Sequence, residues 1–94
     1  MARARKEPGA EWGDYAQRFA TSLRATRERL NLSQEDVAYR AGLTRFTYQK
    51  YEKGESRPGS PINPSLRSLL GIAQALEVNL DDLLPHPAPD VRRR

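Results

Sequence analysis

The sequence comprises 94 residues, of which 37% are hydrophobic and 30% are charged, and it contains no cysteine. These values fit one small globular domain with tails, and we expect no second, ligand-sensing domain. The missing cysteines exclude a disulfide framework, a zinc ribbon and a cysteine nucleophile, and they fit a reducing cytoplasm. The longest apolar stretch, residues 69–73, is far shorter than the roughly 20 residues that a membrane span requires. The start of the sequence lacks the apolar segment of a secretory leader. We therefore expect a cytoplasmic protein without a secretory leader.

The formal net charge of +4 is unevenly distributed along the chain. Both ends are basic, and we expect flexible tails at residues 1–11, with Arg3, Arg5 and Lys6, and at residues 85–94, with Arg92, Arg93 and Arg94. Between them, residues 40–57 carry a net charge of +3 and residues 58–90 carry -3. Such polarity lets one face turn toward phosphates. The tails themselves are either solubilising ends or salt-sensitive contacts to nucleic acid.

Three helices are predicted in the first half of the chain. Apolar spacing from Asp14 predicts a first helix with Asp14 as N-cap, and Asn31 ends it because asparagine tolerates a left-handed backbone. Ser33 begins a second helix, which stops at Gly42. The third helix, over residues 44–53, has Thr44 as N-cap and Gly54 just beyond its end.

Two further helices are predicted in the second half. Residues 57–63, rich in proline, glycine and serine, predict a loop. Asn63 then caps a fourth helix with Pro64 at its first position. Asn79 caps a short fifth helix over residues 80–84. No segment shows strand alternation, so the predicted fold class is all-α.

One face of the third helix collects polar and basic side chains around an aromatic ring. At roughly 100° per residue, a single arc holds Arg45, Phe46, Gln49, Lys50 and Lys53. This pattern is either an ordinary solvated face or a DNA-reading surface. Arginine and lysine suit guanine, glutamine suits adenine, and phenylalanine suits a thymine methyl group. The exposed amides at the start of the second helix, with Gln34, are suited to a backbone phosphate.

Several segments in succession resemble the helix-turn-helix of phage repressor and Cro-type (XRE-family) regulators. They are residues 32–38 (LSQEDVA), 41–44 (AGLT) and 51–54 (YEKG), followed by 63–66 (NPSL), 72–76 (IAQAL) and 78–84 (VNLDDLL). The resemblance covers about residues 18–84. It implies a compact five-helix, lambda-repressor-like DNA-binding domain over residues 12–84. It also implies a transcriptional regulator that binds an inverted-repeat operator in double-stranded DNA as a homodimer, with helix 44–53 in the major groove.

The resemblance assigns roles to individual positions. The recognition positions, which contact bases in that family, are Thr44, Arg45, Phe46, Thr47, Gln49 and Lys50. The phosphate-contacting neighbourhood contains Gln34, Lys53 and Arg57. Arg27 and Glu52 match a pair that links helices one and three as a structural ion pair. The chain departs from the family in having about six extra residues between helices three and four, and Asn31 in place of a glycine before helix two.

Two other functional classes have weaker support. An enzyme is disfavoured because His86, the only histidine, lies between prolines with no organised partner for base or metal chemistry. We therefore expect no catalytic residue, no metal and no cofactor. A protein-interaction module, or the antitoxin of a toxin–antitoxin pair, would use the same fold and a regulatory protein partner. In that case Leu83 and Leu84 would either join the core or contact another chain, and Trp12 would either cover helix one or anchor a partner.

Overall fold

The computed structural model of the protein describes residues 10–92. Its elements in chain order are α1 (Ala10–Arg29), α2 (Gln34–Ala41), α3 (Arg45–Lys53), β1 (Glu55–Arg57), β2 (Ser60–Pro61), α4 (Leu66–Leu76) and α5 (Leu80–Leu83). The five helices predicted from the sequence are confirmed in order, and a short hairpin is added between the third and the fourth. No helix among the described residues is long and apolar enough to cross a membrane.

The boundaries of α2 and α3 follow from local hydrogen bonds. The Ser33 hydroxyl accepts a hydrogen bond from the Asp36 backbone N–H (2.9 Å), and the Asp36 carboxylate accepts one from the Ser33 N–H (3.1 Å). Thr44 caps α3 by accepting from the backbone N–H of Thr47 at 3.0 Å. Gly42 and Gly54 end the two helices with φ angles of 74° and 86°, a left-handed conformation that glycine adopts without steric cost. The predicted ends of both helices are confirmed.

The start of α1 differs from the prediction. The helix already includes Ala10 and Glu11, so Asp14 lies inside it and is not its N-cap. A long-range contact accounts for the extra turn, because the Trp12 indole N–H donates to the carbonyl of Ile62 at 3.0 Å. The two residues therefore leave the expected N-terminal arm. The rest of that arm, residues 1–9 with their basic side chains, lies outside the described residues, as do residues 93–94.

The start of α4 is also corrected. Ser65 is its N-cap, accepting a hydrogen bond from the backbone N–H of Ser68 at 3.0 Å, whereas Asn63 and Pro64 precede the helix. The reason lies in the tertiary structure, because Ile62 is only 2% exposed and must reach the core before the helix begins. At the other end of the fold, α5 stops at Leu83, one residue earlier than predicted.

The predicted loop over residues 57–63 contains the second strand of a small hairpin. β1 and β2 pair antiparallel, with Glu55 opposite Pro61 and Arg57 opposite Ser60. Gly59 has a φ of 81°, which permits the tight reversal between them. The strands have only three and two residues, too few for an alternating pattern to appear in the sequence.

The core is built by residues from all five helices and from the segment after the hairpin. Its fully buried side chains are Leu23, Val37, Tyr48, Ile72, Leu76 and Leu83. α2 and α4 approach closely at Gly71, where an added Cβ would lie 2.7 Å from the carbonyl oxygen of Ala41. This packing fixes α2, and with it the turn into α3. Leu83 is buried and Leu84 packs against the core, so Leu83 provides no surface for another chain.

The segment after α5 is held against α1. The Arg18 guanidinium donates to the carbonyl oxygens of His86 (3.4 Å) and Pro87 (3.1 Å), and it lies 5.2 Å from the centre of the Tyr15 ring. The segment predicted as a flexible tail, residues 85–94, therefore includes two carbonyl groups that accept hydrogen bonds from α1, and its flexibility stays a prediction.

Candidate nucleic-acid interface

The candidate interface is the exposed side of α3 together with the start of α2. Arg45, Phe46 and Lys53 are exposed, and the Phe46 side chain is 68% accessible. Gln49 and Lys50 are half-buried along the same face. A large apolar ring exposed to solvent among basic side chains is typical of a contact surface.

The first turn of α3 has its hydroxyl groups arranged by the cap. Thr44 accepts a hydrogen bond from the backbone N–H of Thr47 and donates its own proton to the Thr47 hydroxyl, both at 3.0 Å. The polar capacity of Thr44 is therefore largely used within the helix. Thr47 keeps its hydroxyl proton and can donate to a ligand.

Phe46 and Lys50 form a pair on the exposed face. They are one helical turn apart, and the Lys50 ammonium lies 4.4 Å from the centre of the Phe46 ring. A cation over an aromatic face is attracted by about 0.5 to 1 kcal/mol at an exposed site. The interaction favours one arrangement of the two side chains in the free protein.

On the opposite side of α3, an ion pair between the buried Glu52 and the half-buried Arg27 joins it to α1. Arg27 Nε lies 2.5 Å from Glu52 Oε2, and Arg27 Nη2 lies 3.0 Å from Oε1. Their side chains are 13% and 3% exposed, respectively. The third nitrogen of the Arg27 guanidinium, Nη1, donates to the carbonyl of Leu32 at 2.9 Å. The pairing of these two residues, expected from the family resemblance, is present in the fold.

Two further donors complete the surroundings of Glu52. Tyr48 Oη donates to Oε2 at 2.5 Å and Gln34 Nε2 donates to Oε1 at 3.0 Å. Burial disfavours the charged form, but the hydrogen bonds from Arg27, Tyr48 and Gln34 outweigh it and hold the pKa of Glu52 below its usual value. Burial, with the acceptor Glu52 beside it, raises the pKa of Tyr48. The carboxylate is thus ionised with four hydrogen bonds.

Gln34 extends this buried cluster toward the exposed face. While its Nε2 donates to Glu52, its Oε1 accepts a hydrogen bond from Gln49 Nε2 at 3.3 Å. The three residues come from α2 and α3, and they form a continuous chain from the buried carboxylate to a predicted base-contacting residue. No local pattern in the sequence predicts this series of hydrogen bonds, and Gln34 was expected only to contact a phosphate.

Two side chains of α1 hold the end of α3. Arg24 Nη1 donates to the backbone carbonyl of Glu52 at 3.3 Å, and Gln17 Nε2 donates to that of Lys53 at 3.1 Å. The last carbonyls of a helix lack internal partners, so these contacts fix the helix end from which Lys53 projects. Neither residue was identified from the sequence, because partners 28 and 36 residues apart leave no local signal.

The fold sharpens the electrostatic polarity of residues 40–57. Because Glu52 is buried and paired with Arg27, Glu55 is the only acidic residue left to balance that segment's five basic side chains: Arg40, Arg45, Lys50, Lys53 and Arg57. Lys53 at the end of α3 and Arg57 in β1 are both exposed. This side of the described structure therefore presents a cationic surface.

Acidic and imidazole groups are not gathered into a metal site. No group of three or more metal-ligating side chains lies together within residues 10–92. His86 is exposed, with Nε2 3.6 Å from Asp81 Oδ1. The exposed side of α3 instead provides hydrogen-bond donors and cations, which suit an anionic partner.

Residues 18–86 match the model of a protein family described as a helix-turn-helix domain. The chain therefore belongs to the helix-turn-helix domain family, which confirms the class predicted from residues 32–54. Among curated proteins, it is 34% identical over 64 residues to the cryptic phage CTXphi transcriptional repressor RstR of Vibrio cholerae, covering 68% of this chain and 52% of RstR. It is 33% identical over 66 residues to the HTH-type transcriptional regulator YqaE of Bacillus subtilis, covering 70% and 52%. The chain spans about half the length of these relatives.

Two solved structures share the fold. One is the restriction-modification controller protein C.AhdI from Aeromonas hydrophila, with a TM-score of 0.65 and 33% identity, covering 73% of this chain and 96% of that one. The other is the hypothetical transcription factor NHTF from Neisseria, with a TM-score of 0.66 and 26% identity, covering 93% and 92%. All four relatives carry the names of regulators, and none carries that of an enzyme.

Proposed function

We propose that this chain is a transcriptional regulator that binds double-stranded DNA in a sequence-specific manner, with α3 in the major groove. The observation that carries the proposal is the exposed face of α3, where Arg45 and the Phe46–Lys50 pair stand in solvent. A major groove admits one helix and displays donors, acceptors and methyl groups on its floor. The repressor and regulator names of the relatives support the same reading.

Each base-contacting residue has a role that follows from its chemistry. Arg45 donates two hydrogen bonds to guanine O6 and N7, and Gln49 pairs with an adenine. Phe46 contacts a thymine methyl group, and Lys50 adds a donor beside it. Thr47 donates through its free hydroxyl proton, whereas Thr44 contributes its methyl group because its hydroxyl caps the helix.

Phosphate contacts position the helix in the groove without reading sequence. Lys53 at the exposed end of α3 and Arg57 in β1 supply charge to the DNA backbone. The start of α2 attracts a phosphate through the helix dipole and the first-turn N–H groups that Ser33 does not bind. Gln34, the first residue of α2, lies at this position.

The active unit in this proposal is a homodimer on an inverted-repeat operator, acting without a cofactor. One helix of 9 residues reads only a few base pairs, and a two-fold dimer doubles the site with the half-sites roughly 34 to 36 Å apart. Leu83 is buried, so the contact between protomers uses other residues. Sedimentation with and without DNA measures the assembly.

The test is repeated selection from a random duplex library at about 150 mM salt, which suppresses purely electrostatic binding. We expect an inverted repeat to be enriched. The control variants are Arg45→Ala, which is expected to lose one enriched base pair, and Arg67→Ala, an exposed arginine on α4 whose loss is expected to leave the motif unchanged. A folded protein that enriches no sequence would overturn the proposal and favour the protein-interaction or antitoxin function.

A further inference from the structure

The buried carboxylate of Glu52 and the exposed face of α3 are linked by two glutamine side chains. We propose that Gln34 is a positioning residue for base readout, which sets the orientation of the Gln49 amide through the hydrogen bonds Glu52–Gln34–Gln49. The inference rests on the proposed function and deepens it. It also revises the expected role of the Gln34 side chain, which was assigned to a backbone phosphate.

Glu52 sets the donor and acceptor directions of these hydrogen bonds. An ionised carboxylate only accepts hydrogen bonds, so Gln34 must turn its NH2 group toward Glu52, as observed at 3.0 Å. The carboxylate cannot move away to release it, because Arg27 and Tyr48 hold both of its oxygens. With its NH2 group fixed inward, Gln34 must present its Oε1 outward.

The same logic fixes Gln49. Because the neighbouring Gln34 atom is an acceptor, Gln49 must turn its own NH2 group toward it, as observed at 3.3 Å. Gln49 Oε1 therefore takes no part in this contact, and one of the two N–H protons on Gln49 Nε2 stays available. An amide that could otherwise rotate by half a turn is held in one orientation.

This orientation has a consequence for sequence preference. In the major groove, a carbonyl oxygen can accept only from the exocyclic amino groups of adenine or cytosine, and guanine and thymine present oxygens there. With the remaining N–H of Gln49 donating to N7, adenine satisfies both groups. Without Gln34, the Gln49 amide can reverse and also donate to the keto oxygen of guanine or thymine. Gln34 therefore sharpens discrimination at one base pair without touching it.

The DNA test compares Gln34→Leu, Gln49→Ala and the double variant with the phosphate-contact variant Lys53→Ala. Discrimination between adenine and keto bases under Gln49 is expected to fall by roughly 10-fold in Gln34→Leu, within the range of one bidentate contact. All other base preferences and the salt dependence are expected to stay unchanged. The double variant is expected to match Gln49→Ala, because the two residues act in series.

Two results would overturn the inference while leaving the proposed function intact. One is a uniform loss of affinity in Gln34→Leu with a weaker salt dependence, which marks a phosphate contact. The other is full additivity of the two substitutions. A wild-type protein that selects no DNA sequence overturns the proposed function, and the inference with it.

A second measurement needs neither DNA nor a substitution. Hydrogen exchange of the side-chain amides in the free wild-type protein, followed by NMR, is expected to be slower for Gln34 and Gln49 than for Gln74, an exposed glutamine on α4. Equal exchange for all three would overturn the hydrogen-bonded chain even if Gln34→Leu fails to fold.

Discussion

The two sides of α3 differ sharply in burial within 9 residues. The buried side holds Tyr48 at 0% exposure and Glu52 at 4%, whereas the opposite side holds Phe46 at 68%. The Tyr48 hydroxyl and the Glu52 carboxylate are hydrogen-bonded inside the protein, whereas Arg45, Phe46 and Lys53 on the opposite side are exposed to solvent. The buried side of α3 thus stabilises the fold, the proposed function assigns recognition to the exposed side, and the hydrogen bonds of Gln34 connect the two sides.

The largest expected effect comes from the buried side. Glu52→Ala leaves the Arg27 guanidinium buried without its carboxylate, which typically costs about 3 to 5 kcal/mol of the free energy of unfolding. The thermal midpoint is expected to fall by more than about 10 °C for a domain of this size. The control Glu28→Ala removes an exposed carboxylate 3.9 Å from Arg27 and is expected to change little. Equal midpoints for both variants, measured by circular dichroism, would remove the structural role of Glu52.

Acid is expected to weaken the same cluster. The pKa of Glu52 is lowered from 4.5 in the folded state, so the stability from its ionised form is fully present above that value. It is lost as the pH falls through the folded pKa. Urea unfolding of the wild type and of Glu52→Gln, from about pH 6 to about pH 3, measures this contribution. The stability advantage of the wild type is expected to shrink toward the acid end, and a constant difference would contradict the assignment.

A smaller loss is expected from the Tyr48 hydroxyl. Tyr48→Phe preserves the buried ring but removes one of the four donors to Glu52. A hydrogen bond to a charged group contributes about 1.5 to 3 kcal/mol, and the unfolding free energy in urea is expected to fall by about that much. Tyr51→Phe, a half-buried tyrosine on the same helix, is the matched control. Equal losses in the two variants would show that Glu52 does not depend on this donor.

On the exposed side, the effects are expected in binding. Arg45→Ala is expected to cost about 1 to 3 kcal/mol of binding free energy and to relax specificity at one base pair. Lys53→Ala is expected to weaken all sequences similarly and to reduce the salt slope by about 1. Fluorescence anisotropy on the selected site and on a shuffled duplex, at several salt concentrations, separates them. Indistinguishable profiles for the two variants would contradict direct readout.

The smallest effect on stability is expected at the exposed ring. Phe46→Ala removes a side chain that is 68% accessible and its contact with Lys50, so the unfolding free energy is expected to change by no more than about 1 kcal/mol. Library selection with this variant is expected to lose the preference for thymine at one position. A marked fall in the thermal midpoint would show that Phe46 supports the fold, and the two sides of α3 would then be less distinct.

How far the sequence predicts this protein depends on how local the determining contact is. The capping bond from Asp36 to Ser33 spans three residues, so the start of α2 can be recognised in the printed sequence. The start of α4 cannot, because Asn63 and Pro64 form an equally good local signal. The burial of Ile62 decides against them. The helix start that depends on a local hydrogen bond was predicted correctly, and the one that depends on the burial of a core residue was misplaced.

The candidate interface divides in the same way. Helical geometry alone places Arg45, Phe46 and Lys53 on one arc, and the fold leaves all three exposed. The hydrogen bond between Gln34 and Gln49, which are 15 residues apart, forms only because the fold packs α2 against α3. No periodicity in the sequence encodes that contact.

By itself, the sequence determined five helices, their order, the caps of α2 and α3, and the cationic face of α3. These features depend on hydrogen bonds and side-chain periodicity within a few residues, which act wherever the segment lies. Only the tertiary structure decided the hairpin, the extension of α1 and the four-donor environment of Glu52. The extension of α1 and the surroundings of Glu52 need groups distant in the chain to meet in a buried or part-buried place, where an unpaired polar atom is costly to leave unsatisfied. The hairpin has strands of only three and two residues, too short for an alternating pattern in the sequence.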